Sequence, residues 1–220
     1  MGYINVTKKT AINLPSDAIL GTDYCDFNRG ILSIYAQDNT RPDCGASYPI
    51  TIPEATYNDT LEIIVPITNF APSGVQKDRC IFSFSNSSTF TATKNYLWID
   101  TYKYGGNSYR LVYINQNGTA NEYRLADWDL DIGKRWVKFV FHQDTINLYI
   151  STNGISYTSL GSASFGFSNN FNASNFDTVT FGGKSNGSQY IGTYGLNASI
   201  DLADCSVKYN SQKVRDFVVQ

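Results

Sequence analysis

The chain has 220 residues, a formal net charge of −2, 15% aromatic and 16% charged residues. That balance, with no cluster of lysine or arginine, argues against a nucleic-acid partner, and no stretch reaches the apolar length of a membrane span. The length suits a single β-sandwich. Abundant aromatic residues with Asn, Ser, Thr and Gly point to many short strands joined by polar turns rather than to helices.

Residues 1–20 read as an extended N-terminal arm, ahead of a sandwich domain over 21–220. The start carries no secretory signal, because its charges come after position 7 and no apolar run follows them. Val6 also breaks the myristoylation pattern, so synthesis in the cytosol is expected. RGILSIYAQD, from Arg29, is the first strand, followed by an irregular Pro-containing stretch through Ile52. TLEIIVPIT (60–68) is a strong strand in which Pro66 implies an edge or a bulge. RCIFSFS (79–85) follows, then a hairpin over 95–115 around Gly105-Gly106-Asn107-Ser108, and 123–132 leads into a strand at Trp136.

The segment RWVKFVFHQDTINLYIS (135–151) is the most diagnostic. Val137, Phe139 and Phe141 alternate with Trp136, Lys138, Val140 and His142; after Gln143-Asp144, Ile146, Leu148 and Ile150 alternate with Asn147, Tyr149 and Ser151. Period-2 alternation on both sides of a short polar turn predicts an antiparallel hairpin. Phe141 should face Ile146, Phe139 should face Leu148 and Val137 should face Ile150, giving one dry face that needs a second sheet. A turn at Asn153-Gly154, a strand at DTVTFGG (177–183) and a return strand over 197–209 complete the chain. No segment keeps a 3.6-residue period over three turns.

The order of a Trp-led strand, a strand ending in a Gly turn, a strand running into glycines and a late SIDL strand resembles the concanavalin A-like (laminin-G-like jelly-roll) superfamily over about 60–214. The ending IDLADCSVKYNSQKV is similar to sandwich domains in virion proteins of tailed bacteriophages. The resemblance implies an all-β, concanavalin A-like jelly-roll β-sandwich of two antiparallel sheets. It also implies a place in a virion and ligands on the concave sheet or its rim loops.

The hairpin NYLWIDTYKYGGNSYRLVYIN is the best candidate surface. With 105–108 as its loop, Tyr104 pairs with Tyr109, Tyr102 with Leu111, Asp100 with Tyr113 and Trp98 with Asn115. One face then carries Tyr96, Trp98, Asp100, Tyr102, Tyr104, Tyr109, Leu111, Tyr113 and Asn115; the other, with Leu97, Ile99, Val112 and Ile114, is core. Flat rings stack on the C–H faces of pyranoses while Asp and Asn oxygens bond their hydroxyls, so the first face fits a glycan. Trp136, His142, Asn147 and Tyr149 are expected to extend it. The competing reading is a protein interface or plain packing, which aromatic strands also serve.

Asp127, Asp129 and Asp131 stand at i, i+2 and i+4 and would share a face if extended. They are the nearest approach to the paired carboxylates of a glycosidase, but they are Asp where the resembled enzymes use Glu, and a solvated acidic turn is the ordinary reading. The same three residues are the only calcium candidates, without the Gly and Glu spacing of a known loop. No other metal or cofactor is indicated. His142 reads as a turn-flanking surface residue. Gly182-Gly183-Lys184-Ser185 lacks the spacing of a phosphate loop. Cys80 and Cys205 read as buried small hydrophobes; Cys25 and Cys44 could pair, although a cytosolic setting argues against it. The N-x-S/T triplets are read as a by-product of Asn-rich turns, given the missing signal.

The expected function is non-enzymatic: a bacteriophage virion surface or appendage protein whose sandwich recognises host surface glycan. Its partners would be that glycan and other virion proteins, with homo-oligomerisation open. A structural virion subunit using the aromatic face as a protein interface, and a carbohydrate-active enzyme or binding module, are the alternatives.

Overall fold

The computed structural model describes residues 11–21, 24–35, 44–53, 58–69, 79–86, 96–104, 107–116, 119–127, 133–164, 176–183 and 197–220, with backbone alone at 69, 79, 96–127 and 197. Every regular element among them is a strand. In chain order they are β1 (Ile19–Leu20), β2 (Cys25–Asn28), β3 (Ile31–Tyr35), β4 (Ala46–Pro49), β5 (Thr60–Asn69) and β6 (Arg79–Ser85). There follow β7 (Tyr96–Tyr104), β8 (Asn107–Gln116), β9 (Thr119–Asp127), β10 (Gly133–His142) and β11 (Thr145–Ser151). The last are β12 (Thr158–Ser164), β13 (Thr178–Phe181), β14 (Asn197–Asp201), β15 (Ser206–Tyr209) and β16 (Gln212–Lys213).

A seven-stranded sheet has the order β1-β4-β13-β6-β7-β8-β9, and a nine-stranded sheet runs β12-β11-β10-β5-β14-β3-β2 with β15 and β16 beside β5. All pairings are antiparallel. Edge strands β9 and β12 lie alongside each other, narrowing the sandwich on that side.

The core is built by alternation. Leu61, Ile63, Val65 and Ile67 of β5 and Val137, Phe139 and Phe141 of β10 are buried, as are Ile146 and Leu148 of β11. Across the gap stand Tyr48, Phe82, Phe84, Val179 and Phe181, with Phe82 edge-on to Phe139 at 5.1 Å between centroids. The β10–β11 register has the three pairs that the alternation predicts: Phe139 with Leu148 and Phe141 with Ile146 in the core, and Val137 with Ile150, of which Ile150 is only half-buried.

Two expectations need correction. Pro66 marks neither an edge nor a bulge in its own strand: β5 is central, paired along its whole length with β10. On the other side of β5 the return strand is split. β14 pairs with Ile67–Asn69 and β15 with Leu61–Ile64, and residues 202–205 leave the ladder opposite Val65 and Pro66. Pro66 brings no N–H to that ladder, so the interruption falls where a donor is missing. The stretch 123–132, expected to lead into the Trp136 strand, overlaps the end of β9, Thr119–Asp127, and its residues 128–132 lie outside the described residues. β1 and β2 escaped the sequence pattern because they are too short to show one.

Within the segment read as an arm, Ile19 and Leu20 pair with Ser47 and Ala46 in the seven-stranded sheet. Asn13 forms a bridge with Val219, through hydrogen bonds of 2.8 and 2.9 Å. Arg215 holds both ends together, donating to the Asp17 carboxylate at 2.8 and 3.1 Å and to the Pro49 carbonyl at 2.6 Å. Residues 1–10 lie outside the described residues.

Candidate functional site

All eight residues proposed as a glycan face fall on the β7–β8 hairpin. Its register differs from the expected one by two residues: Tyr104 is opposite Asn107, Tyr102 opposite Tyr109, Asp100 opposite Leu111, Trp98 opposite Tyr113 and Tyr96 opposite Asn115. The connection is the two residues 105–106, not four, as hairpins favour two-residue loops. Because the shift is even, every residue keeps its expected face.

Strand pairing connects this face to the rest of the sheet. The row Ser47–Thr180–Ser83 continues through the positions of Trp98, Tyr113 and Glu122. The alternate row Tyr48–Val179–Phe84 continues through Leu97 and Ile114, which places the aliphatic positions with the core. Ser47 and Thr180 share a hydroxyl hydrogen bond of 2.7 Å, and Ser83 donates to the Gly183 carbonyl at 3.3 Å. These hydroxyl residues are buried although they lie on the face turned away from the core. The sheet is therefore covered over β4, β13 and β6. The side chains of β7, β8 and β9 lie outside the described residues.

Trp136, His142, Asn147 and Tyr149 do not extend that face. They belong to β10 and β11 in the other sheet, so the two hairpins present opposite outer surfaces of the sandwich. Adjacent sequence and similar composition gave no means of assigning them to different layers.

The outer surface of β5, β10 and β11 carries a cluster that the sequence reading did not assemble. The Lys138 ammonium lies 4.8 Å from the centre of the Tyr149 ring and 4.4 Å from that of Tyr157, a cation–π cradle. Glu62 Oε1 accepts from Lys208 at 3.2 Å, while its Oε2 stands 4.0 Å from Lys138. Burial, and next the charge of Glu62, raise the Tyr157 phenol above its ordinary pKa. The signal was present in sequence: Glu62 is the single charge in TLEIIVPIT, and Lys138 and Tyr149 occupy outward positions of the hairpin.

Next along β10, the Lys134 ammonium is 4.7 Å from the centre of the Trp136 ring and donates to Asp201 at 2.7 Å and Asp204 at 3.2 Å. Burial opposes its charge, but the hydrogen bonds to the two aspartates prevail and hold its pKa above the usual lysine value. His142 sits at the far end, its Nδ1 3.2 Å from Thr60 Oγ1 and 3.4 Å from the Asp59 carbonyl.

Asp127 ends β9, opposite Tyr109, while Asp129 and Asp131 lie outside the described residues. Among the described residues no three His, Cys, Asp or Glu side chains gather as metal ligands. Cys44, Cys80 and Cys205 are buried; Cys80 donates to the Phe82 carbonyl at 3.2 Å and Cys25 to that of Gly21 at 3.1 Å. Lys184 and Ser185 lie outside the described residues.

No family model matches the chain, and no curated protein matches it in sequence. Solved structures do. The enzymatically active domain of tailspike protein 2 from bacteriophage CBA120 is 13% identical with a TM-score of 0.50, over 81% of this chain and 25% of that one. Domains LG4-5 of the mouse laminin α1 chain are 10% identical with a TM-score of 0.50, over 90% of this chain and 46% of that one. The SAP-like pentraxin of Limulus polyphemus is 14% identical with a TM-score of 0.50, over 85% of this chain and 77% of that one. The chain is an all-β jelly-roll sandwich. At these identities the likeness is one of fold, and the chain spans a quarter of the tailspike fragment and under half of the laminin fragment.

Proposed function

We propose that this jelly roll is a non-enzymatic binding module, carried on a bacteriophage virion, that recognises host surface glycan through the outer face of the β7–β8 hairpin. The observation that carries the reading is the hairpin register. It sets Tyr96, Trp98, Asp100, Tyr102, Tyr104, Tyr109, Tyr113 and Asn115 on one side of two paired strands, away from the rows that contain Phe82 and Phe84. Aromatic residues interspersed with amide and carboxylate groups supply stacking and hydroxyl recognition together. Placement in a virion is supported by the similarity of the C-terminal segment to phage sandwich domains, and the tailspike domain shares the fold.

The test is binding of the purified protein to a glycan array and to whole-cell polysaccharides, with Trp98→Ala in parallel. Saturable binding that the substitution abolishes supports the reading. A second reading, in which the face meets another virion subunit, rests on the same run of tyrosines and Trp98, residue types that protein interfaces also favour. It predicts no glycan binding by folded protein, and protection of Tyr96 and Trp98 only in assembled particles.

A further inference from the structure

We propose a second saccharide site on the opposite surface of the sandwich, in which Lys138 and Glu62 bind a hydroxyl of a neutral pyranose between them, beside Tyr149 and Tyr157. The inference takes only its ligand class from the preceding reading; its residues, sheet and geometry are separate.

The argument starts from unmatched hydrogen-bonding groups. Lys138 Nζ has three donors, yet its polar neighbour, Glu62 Oε2, is 4.0 Å away, beyond hydrogen-bonding distance. The aromatic faces of Tyr149 and Tyr157 stabilise its charge without accepting a conventional hydrogen bond. Glu62 bonds Lys208 through Oε1, which leaves Oε2 turned to Lys138. The Tyr157 hydroxyl is buried and has no hydrogen-bond partner among the described residues.

The donor and acceptor pattern fits that ligand class. An anion would suit Lys138 but would meet the Glu62 carboxylate, and a cation would meet the reverse conflict. A hydroxyl both donates and accepts, so one oxygen about 2.8 Å from each group closes the 4.0 Å gap. Lys138 and Glu62 side chains are 20% and 26% exposed, so both heads reach the surface while their stems are held. Holding them before the ligand arrives lowers the entropy cost of binding.

The experiment is backbone amide NMR of the full chain titrated with methyl α-mannoside, methyl β-galactoside and methyl β-glucoside, with their per-O-methylated forms and sodium sulfate as controls. Saturable shifts at Lys138, Tyr149 and Tyr157 with at least one free glycoside, and none with its methylated form, are expected. Lys138→Met and Glu62→Gln should each weaken that binding by about tenfold, the loss of one charged hydrogen bond, and Tyr157→Phe, which keeps the ring beside Lys138 and removes only a buried hydroxyl, should leave it unchanged. Trp98→Ala should leave it unchanged. No shift at these amides with any glycoside overturns the proposal, as do equal shifts with sulfate or binding indifferent to Lys138→Met. Shifts confined to β7–β8 would overturn this site while upholding the first; shifts confined to Lys138, Tyr149 and Tyr157 would do the opposite.

Discussion

Gly154 lies against the indole of Trp136: a Cβ built on it would stand 2.9 Å from Cε2 and 3.0 Å from Nε1 of that ring. Its φ of +74° is a second reason for glycine. The loop around it is fixed by side chains. Ser151 Oγ accepts from the N–H groups of Asn153 and Gly154 at 3.2 and 2.9 Å, and Asn153 Oδ1 accepts from Ile155 and Ser156, both at 2.9 Å. Gly154→Ala therefore adds backbone strain to a collision with an aromatic ring. We expect a loss of about 1–3 kcal/mol, read as a lower urea midpoint with an unchanged slope and altered tryptophan fluorescence. An unchanged midpoint would show that the loop is not anchored on Trp136.

The β10–β11 turn offers the opposite change. His142 pairs with Thr145, so Gln143 and Asp144 make the whole connection, and Gln143 adopts a φ of +51°. A side chain with a Cβ is disfavoured there by roughly 1 kcal/mol, and glycine is not. Gln143→Gly should raise the unfolding free energy by somewhat less than that amount, since the unfolded chain also gains freedom. A drop in the urea midpoint would mean that the Gln143 amide, which donates to Asn58 at 3.3 Å, outweighs the strain.

What the sequence made legible follows from the range of its signals. The β10–β11 hairpin was readable to the residue because Val137, Phe139, Phe141, Ile146 and Leu148 are all buried and their alternation has one solution. The β7–β8 faces were readable for the same reason, while the register slipped by two because Asn107 and Ser108 look like loop residues yet belong to β8. The assignment of the two hairpins to different sheets was not readable, since alternation reports which side of a strand is dry and not which layer holds it. The outward positions of the Lys138–Glu62 cluster were legible one by one, but their meeting was not, for a related reason. It joins positions 62, 138, 149 and 157 through β5 and β11 flanking β10, and only strand order brings them together.

The junction of the chain ends should be a major source of stability. Phe217 is 2% exposed, and its ring is edge-on to Tyr48 at 5.0 Å and to Phe181 at 4.8 Å. Phe217→Ala should cost about 3–5 kcal/mol. A loss below 1 kcal/mol in urea unfolding would mean that the C-terminal segment folds onto the sandwich only weakly.

The ion pair at that junction should appear in the acid limb of the stability curve. The hydrogen bond from Arg215, opposed by slight desolvation and reinforced by its charge, holds Asp17 below its ordinary value of 3.8. A depressed folded pKa contributes stability above 3.8 that is lost as pH falls through the folded value. Arg215→Ala should therefore reduce the stability difference between neutral pH and pH below 3.8. Equal acid limbs for both proteins would place the pair outside the cooperative unit.

Tyr48 should govern the alkaline limb. Its ring is fully buried and its hydroxyl has no hydrogen-bond partner among the described residues, while the Arg215 guanidinium lies 5.3 Å from the ring centre. Burial, with a smaller push from Cys205, raises the phenol well above its ordinary 10.0, and Arg215 pulls it partly back. A raised folded pKa means that this contribution is fully present below pH 10.0 and is lost as pH climbs toward the folded value. Tyr48→Phe keeps the ring contacts and removes an unmatched polar atom, so we expect a gain of about 1 kcal/mol at neutral pH. Above pH 10.0 the variant should lose stability less steeply than the parent. Urea unfolding of both proteins from neutral pH to about pH 11 reads the two effects together. A less stable variant with the same alkaline slope would show that the hydroxyl is satisfied and that burial does not control its ionisation.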